Sequence, residues 1–313
     1  MSRFILNLAV FLSFQILVCF VFYENGRFSL KNHPNDYLAS TLDKHARLDS
    51  LESPRLILVG GSNLAYGVNS GCLERELGIV TVNMAMHAGL GMDFILSDIE
   101  SKIKPRDIVV IAFEDNLFLG AQSDFKLIWQ VVNYRPAYLK EIIYHPRFID
   151  DGFIALRQIV QSAFDKSLPS PREPSPPYSR DSFNEWGDII LRPVTAAQIE
   201  PEPHRRVHIS NLQEKVNLLA DFQLRVEQIG AMAVYIHSYK PLFCYPDRGD
   251  FLSLLHSRLI NSGVNVVGSA KEASMPVTYF YDTEYHLTKK GAAIRTGKIV
   301  SMLKPIVQSM SKD

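Results

Sequence analysis

Leu56-Ile-Leu-Val-Gly-Gly-Ser-Asn63 carries an apolar run straight into a glycine turn, and the residues after it predict a helix. Four consecutive apolar residues predict a short buried strand. At such a strand-to-helix turn a serine exposes its hydroxyl beside free backbone N–H groups, a position suited to a nucleophile. Ser62 could equally cap the helix, so a catalytic role requires a base elsewhere in the chain.

Short apolar runs alternate with amphipathic segments over most of the remaining chain. We predict strands at 56–59, 79–82, 107–113, 231–237 and 264–267, and helices at 69–77, 92–102, 212–229, 251–260 and 290–309. Glycines at 78 and 230 stop two of these helices. The alternation predicts an α/β fold of three layers, in which helices cover both faces of a mostly parallel sheet.

Composition excludes several classes of function. The chain has 313 residues, 47% of them hydrophobic, which is enough for a sizeable core. Basic and acidic residues each number 33, so no net positive field favours nucleic acid as a partner. The three cysteines lack metal-ligand spacing and do not form a disulfide framework, although a Cys72–Cys244 bridge is possible. We expect no metal and no cofactor.

The N-terminus predicts a membrane anchor. Residues 4–23 are almost all apolar, and about 20 such residues span a bilayer core. A cleavable signal peptide and a buried helix are the alternatives, but the run lacks the small residues of a cleavage site. We expect residues 1–24 to anchor the protein by a single transmembrane helix in the cell membrane, with the body in the periplasm or another extracytoplasmic space.

Two segments interrupt the regular pattern. Residues 25–53 are polar and carry charges of both signs, as expected of a tether or a surface helix. The body, 54–313, contains an insertion at about 117–208 whose proline-rich run, 168–177, cannot be regular helix or sheet interior. Such an insertion either covers a site or forms a disordered surface loop.

Four motifs follow one another in a recognisable order. They are Gly60-Gly-Ser-Asn63, Asn83-Met-Ala-Met-His-Ala-Gly-Leu-Gly91, Phe113-Glu-Asp-Asn116 and Asp282-Thr-Glu-Tyr-His286. Together they resemble the SGNH (GDSL-like) hydrolase superfamily over residues 54–313, apart from the insertion. The resemblance is closest to the membrane-anchored cell-envelope branch, and it implies an SGNH/flavodoxin-like sheet.

The resemblance implies a catalytic serine and histidine. Ser62 would be the nucleophile and His286 the base that removes its proton, since imidazole titrates near neutral pH. The family places an aspartate three residues before the histidine, where this chain has Thr283. Asp282 would share a face with His286 in a helical turn, whereas Glu284 would do so in an extended strand. We favour Asp282 and keep Glu284 as the alternative acid.

An acyl transfer also needs donors for the oxyanion of the tetrahedral intermediate. The Ser62 N–H is the first candidate. The resemblance implies a second donor at Gly89, or alternatively Gly91, and a third at the Asn116 side chain. His87, beside Gly89, would contact substrate or make a structural hydrogen bond.

The third motif departs from the family pattern. Phe113-Glu114-Asp115-Asn116 contains an asparagine but lacks the usual Gly-x-Asn-Asp order. If Glu114 or Asp115 faced the site, its negative charge would oppose the oxyanion, lower activity or select a cationic substrate.

These residues imply a serine-dependent esterase or O-acyltransferase that acts, through an acyl-serine, on ester-linked acyl groups of a cell-envelope or exported polymer. The expected partners are an acylated glycan or another ester, and a membrane acyltransferase. The alternative is a catalytically inactive SGNH-like accessory protein that binds a glycan or a membrane acyltransferase.

Overall fold

The computed structural model describes residues 2–31, 34–120, 123–138, 174, 176–191 and 211–310. The strands of this part of the chain are Arg55–Gly60 (β1), Val80–Asn83 (β2), Ile108–Ala112 (β3), Met232–Ile236 (β4), Lys240–Pro241 (β5), Val266–Val267 (β6) and Ser274–Met275 (β7). The helices are Ser2–Lys31 (α1), Ser40–Ser50 (α2), Ser62–Ala65 (α3), Ser70–Leu77 (α4), Met92–Glu100 (α5), Asp115–Phe118 (α6), Phe125–Tyr134 (α7), Leu212–Gln228 (α8), Tyr245–Asn261 (α9) and Lys289–Met310 (α10).

The central sheet has five parallel strands in the order β2-β1-β3-β4-β6. The chain passes from β1 outward to β2 and then returns to place β3 on the other side of β1. Crevices form at such a switch point, at the carboxyl ends of the two diverging strands. Gly60 pairs with Ala112 at this end of the sheet, and a Cβ on Gly60 would lie 2.0 Å from the Ala112 oxygen. Only glycine allows that approach.

Alternate side chains of each strand supply the two faces of the sheet. Ile57 and Val59 of β1 pack in one cluster with α5, α7, α8 and α9, whereas Leu56 and Leu58 pack in the other with α4 and α10. The three-layer α/β/α arrangement and the mostly parallel sheet are therefore confirmed.

Local signals set the helix ends within a few residues of prediction. The Asn69 side chain accepts a hydrogen bond from the Cys72 N–H at the start of α4, and Gly78 ends that helix with a φ of 68°. Helix α9 begins at Tyr245, earlier than the predicted 251, and the last sheet strand is confined to Val266–Val267.

Helix α1 covers the predicted anchor. Large apolar side chains along it are exposed, among them Phe4, Phe14 and Phe20. Within the described residues, however, no helix reaches the combination of length and hydropathy required to cross a bilayer. The anchor at residues 4–23 and the extracytoplasmic location of the body stay predictions.

Part of the predicted tether packs on the sheet as α2. Its Lys44 is buried, and the ammonium group donates to the backbone oxygens of Asn83 at 2.8 Å and Gly187 at 2.6 Å. Burial lowers the pKa of Lys44 to about 7, although the nearby charges of Asp188 and Asp43 oppose that change. The lysine therefore joins α2, the end of β2 and the insertion.

Two parts of the predicted insertion are described. Helix α7 packs in the core, and residues 176–191 lie beside α2 and β2. Residues 139–173 and 192–210 lie outside the described residues, and they include most of the proline-rich run 168–177.

A buried ion pair holds the opposite, amino-terminal edge of the sheet. Arg55 of β1 contacts Asp107, just before β3, with 2.5 Å between Nη2 and Oδ2. The two side chains are 1% and 0% exposed. Arg55 also donates to the backbone oxygens of Leu48, at 2.8 Å, and Lys102, at 2.7 Å. The pair thus joins α2 and the end of α5 to the two central strands.

We expect Asp107→Asn to lower the free energy of unfolding by about 3–5 kcal/mol, because it leaves the buried Arg55 charge without its counter-ion. Urea denaturation measures the change. Glu100→Gln is the matched control, because Glu100 pairs with Arg225 at the surface and its loss should cost at most about 1 kcal/mol. Equal effects of the two substitutions would contradict the prediction.

Candidate active site

Ser62 and Glu114 meet at the carboxyl ends of β1 and β3. Ser62 is the first residue of α3 and is partly exposed, whereas Glu114 directly precedes α6 and is buried. The Ser62 hydroxyl donates to Glu114 Oε1 at 3.4 Å. The candidate nucleophile therefore lies in the crevice that the sheet topology creates.

Asn63 fixes the turn that carries Ser62. Its backbone N–H donates to Glu114 Oε1 at 2.8 Å, and its side-chain Nδ2 donates to the Ala112 oxygen at 2.9 Å. Arg295 of α10 donates Nη1 to the Asn63 backbone oxygen at 2.7 Å and Nη2 to Asn63 Oδ1 at 3.0 Å. Asn63 is fully buried, so each of these bonds replaces one to water.

Arg295 is a functional candidate that sequence reasoning missed. Its side chain is fully buried, and its guanidinium lies 5.1 Å from the centre of the Tyr239 ring. Burial lowers the pKa of Arg295 to about 10, although the charges of Tyr239 and Glu114 oppose that change. The arginine ties the C-terminal helix to the turn of the nucleophile.

The loop before α10 forms the predicted acid–base pair. His286 Nδ1 lies 2.8 Å from Asp282 Oδ1. The Thr283 hydroxyl accepts from the backbone N–H groups of Tyr285, at 3.2 Å, and His286, at 3.1 Å, and so closes a turn rather than a strand. Of the two candidate acids it is therefore Asp282 that meets His286, while Glu284 contacts Lys240.

The electrostatics of the pair favour an ionised acid. Partial burial acts to raise the pKa of Asp282, but the hydrogen bond and charge of His286 outweigh it and lower the pKa overall. The Tyr178 hydroxyl donates to Asp282 Oδ2 and acts in the same direction. Tyr178 comes from the insertion, and nothing in its irregular sequence indicated this contact.

His286 contacts Tyr66, the residue at the end of the short helix that begins with Ser62. Its ring stacks on Tyr66, with 4.0 Å between ring centroids and 13° between planes. Tyr66 follows Ser62 by one helical turn, and its N–H donates to the Ser62 oxygen at 2.9 Å. Among the described residues the Ser62 hydroxyl has its hydrogen bond to Glu114 and none to His286.

The predicted oxyanion donors after β2 are already engaged. The Gly89 N–H donates to His87 Nδ1 at 2.9 Å, and the Gly91 N–H donates to the Ala88 oxygen at 2.9 Å. His87 thus makes a structural hydrogen bond. Its side chain is exposed, yet enough protein surrounds it to lower its pKa, and the charge of His286 acts in the same direction.

Asn116, the third predicted donor, is exposed on α6, and Glu114 rather than Asn116 meets the serine turn. Burial raises the pKa of Glu114, against the hydrogen bond from Asn63 and the charge of His286. Asp115 points elsewhere and pairs with Lys240 at 2.6 Å.

Lys240 joins the block after β3 to the His286 loop. Its ammonium contacts Asp115, and also Glu284 Oε1 and the Tyr285 hydroxyl, each at 3.2 Å. The lysine is buried, so this network excludes water between the two segments. Sequence reasoning did not identify Lys240, because a single lysine beside a proline carries no pattern.

The described residues show neither a disulfide bond nor a group of metal ligands. Cys72 and Cys244 are not joined by a disulfide bond, so the bridge that sequence left open does not form. Where the structure describes the chain, no three His, Cys, Asp or Glu side chains are grouped to hold a metal ion.

A scan against models of known protein families and a search of curated proteins both found no match for this chain. The geometry of the candidate active site is therefore the basis for proposing a function.

We expect Asn63→Ala to destabilise the protein by about 2–6 kcal/mol, because the Ala112 oxygen and Arg295 Nη2 would each lose a partner at about 1–3 kcal/mol. Urea denaturation provides the measurement. Asn69→Ala is the matched control, since it removes an exposed helix cap worth about 1 kcal/mol. A loss no larger than that of the control would show that Asn63 does not hold the turn.

Proposed function

We propose that the protein is a serine-dependent acyl esterase or O-acyltransferase of SGNH type, with Ser62 as nucleophile, His286 as base and Asp282 as the acid that orients it. The substrate would be an ester-linked acyl group of a cell-envelope or exported polymer such as a polysaccharide. The observation that supports the proposal best is the Asp282–His286 pair, whose histidine ring stacks on Tyr66, four residues after Ser62.

The sheet supports the family part of the proposal. Its order, with β1 between β2 and β3, is that of the flavodoxin-like doubly wound sheets, whose ligands bind at the β1/β3 switch point. Residues 4–23 would anchor the protein in the cell membrane and place the domain outside the cytoplasm. An acylated glycan and a membrane acyltransferase would be its partners, without nucleic acid or cofactor.

In the first half of the reaction Ser62 Oγ attacks the ester carbonyl while its proton passes to His286 Nε2. Asp282 accepts a hydrogen bond from the Nδ1–H group, fixes the tautomer and stabilises the imidazolium. Collapse of the intermediate breaks the ester C–O bond, and the leaving alcohol takes the proton from His286. The acyl group remains on Ser62.

In the second half water or a sugar hydroxyl attacks the acyl-serine and gives its proton to His286. The intermediate expels Ser62 Oγ, which takes that proton back. Hydrolysis and transfer therefore use the same residues and differ only in the acceptor. The Ser62 hydroxyl must rotate from Glu114 toward His286 before the first attack.

A non-catalytic accessory protein is the second candidate. The engaged Gly89 N–H, the exposed Asn116 and the carboxyl group at Ser62 favour it, since each is unfavourable for a conventional oxyanion site. In that role the crevice would bind a glycan or a membrane acyltransferase without turning over an ester.

We expect a fluorophosphonate probe to label the purified protein at Ser62, and we expect Ser62→Ala to abolish both labelling and ester turnover. Mass spectrometry of the labelled peptide identifies the site. Ser97→Ala is the matched control, because that hydroxyl donates to the Phe94 oxygen on α5. If the unmodified protein shows no labelling and no ester turnover, that result would favour the accessory role.

We expect Asp282→Asn to lower kcat on the order of 10⁴-fold, because the amide stabilises the wrong tautomer of His286. Glu284→Gln should cause a much smaller loss, since Glu284 contacts Lys240 and not the histidine. Steady-state kinetics on an activated ester compare the two. A larger loss in Glu284→Gln would assign the acid to Glu284 instead.

A further inference from the structure

The carboxyl group of Glu114 lies beside the Ser62 hydroxyl. Oε1 lies 3.4 Å from Ser62 Oγ and accepts the Asn63 N–H at 2.8 Å. The N–H of Gly89 is directed to His87. The Gly89 N–H is therefore directed away from Ser62. The group that contacts the serine hydroxyl is the carboxyl group of Glu114.

The second oxygen of Glu114 is buried and unsatisfied. Among the described residues no hydrogen-bond partner lies within reach of Oε2. The carboxyl group packs against Gly61, where a Cβ would lie 2.3 Å from Oε2 and 2.5 Å from Oε1. A glycine is therefore required for Glu114 to reach the serine turn. An orphaned polar atom of this kind calls for a functional explanation.

We propose that Glu114, in its protonated form, donates a hydrogen bond to the oxyanion that forms when Ser62 attacks the ester carbonyl. This assignment rests on the proposed function and makes Glu114 a further catalytic residue of the same site.

The chemistry of the carboxyl group requires the protonated state. A carboxylic acid has one O–H donor, whereas a carboxylate only accepts and would repel the oxyanion. A buried acid kept neutral near pH 7 can act as such a donor. Burial raises the pKa of Glu114 in the required direction.

The groups that face Glu114 come from four segments. They are Tyr37 before α2, Tyr235 of β4, His286 and Arg295 of α10. The positive charges of His286 and Arg295 favour ionisation, but burial is the larger effect and the net change is upward. The two tyrosines are neutral near pH 7, because burial raises the pKa of each.

Turnover would then depend on two opposite protonation states. His286 must be neutral to take the proton of Ser62, and Glu114 must be protonated to donate to the oxyanion. Activity should therefore fall at high pH as Glu114 loses its proton.

Glu114→Gln tests this directly. The amide oxygen can still accept the Asn63 N–H, and the amide nitrogen donates at every pH, so the fall in kcat at high pH (the alkaline limb) should disappear. Glu114→Ala removes the donor, and we expect kcat to fall by about 10²–10³. Hydrolysis of p-nitrophenyl acetate gives the profiles of kcat against pH. Glu100→Gln, on the outer surface of α5, is the matched control and should keep the alkaline limb.

Stability measurements test the protonation of Glu114 independently of catalysis. Because the folded-state pKa of Glu114 is raised, its contribution to stability is complete at low pH and is lost as the pH rises through that pKa. Glu114→Gln should remove that alkaline loss in urea denaturation, and it shows whether the variant is folded where its kinetics are measured.

An alkaline limb that persists in Glu114→Gln, or a folded Glu114→Ala with unchanged kcat, would overturn the assignment while Ser62 labelling left the proposed function standing. Failure of the probe to label Ser62 in the unmodified protein would overturn both. A lost alkaline limb with Ser62 still labelled would support both.

Discussion

The geometry of the candidate site depends on the burial of Asn63. A buried polar group is costly unless its hydrogen bonds are made, and Asn63 makes them to β3, to Glu114 and to Arg295. These bonds restrict the turn after β1 to one backbone conformation. The bonds of Asn63 therefore fix the position of Ser62. Among the described residues the Ser62 side chain itself makes one long hydrogen bond, to Glu114 at 3.4 Å.

That constraint also explains why distant segments converge. Arg295 is 232 residues from Asn63 in sequence, and the parallel topology brings α10 against the carboxyl end of β1. The same helix begins just after His286, so the bond that fixes the turn also limits where the histidine can lie. Stacking on Tyr66 completes the placement. The contact between α10 and the turn after β1 thus constrains the positions of both Ser62 and His286.

The parts of the structure that sequence predicted are those with local causes. Continuous apolar runs give buried strands, Asn69 and Gly78 mark the ends of α4, and the i, i+4 spacing of Asp282 and His286 selects the acid. Partners set by tertiary packing were missed. An arginine on a long helix predicts a solvated face, yet Arg295 is fully buried. Tyr178 belongs to a segment without periodicity, and the Gly89 N–H is engaged by a neighbouring ring that no spacing rule reveals.

Two consecutive acids after β3 have opposite surroundings. Asp115 has Lys240 as its counter-ion at 2.6 Å, whereas Glu114 meets a backbone N–H and a hydroxyl, and its second oxygen has no partner within the described part of the chain. Pairs of carboxyl groups in such different environments divide acid and base roles between them. Lys240 also contacts Glu284, in the loop of His286. Asp115 is therefore joined through Lys240 to that loop, while Glu114 faces Ser62. A displacement of either segment would change both, because Lys240 joins the block after β3 to the loop of His286.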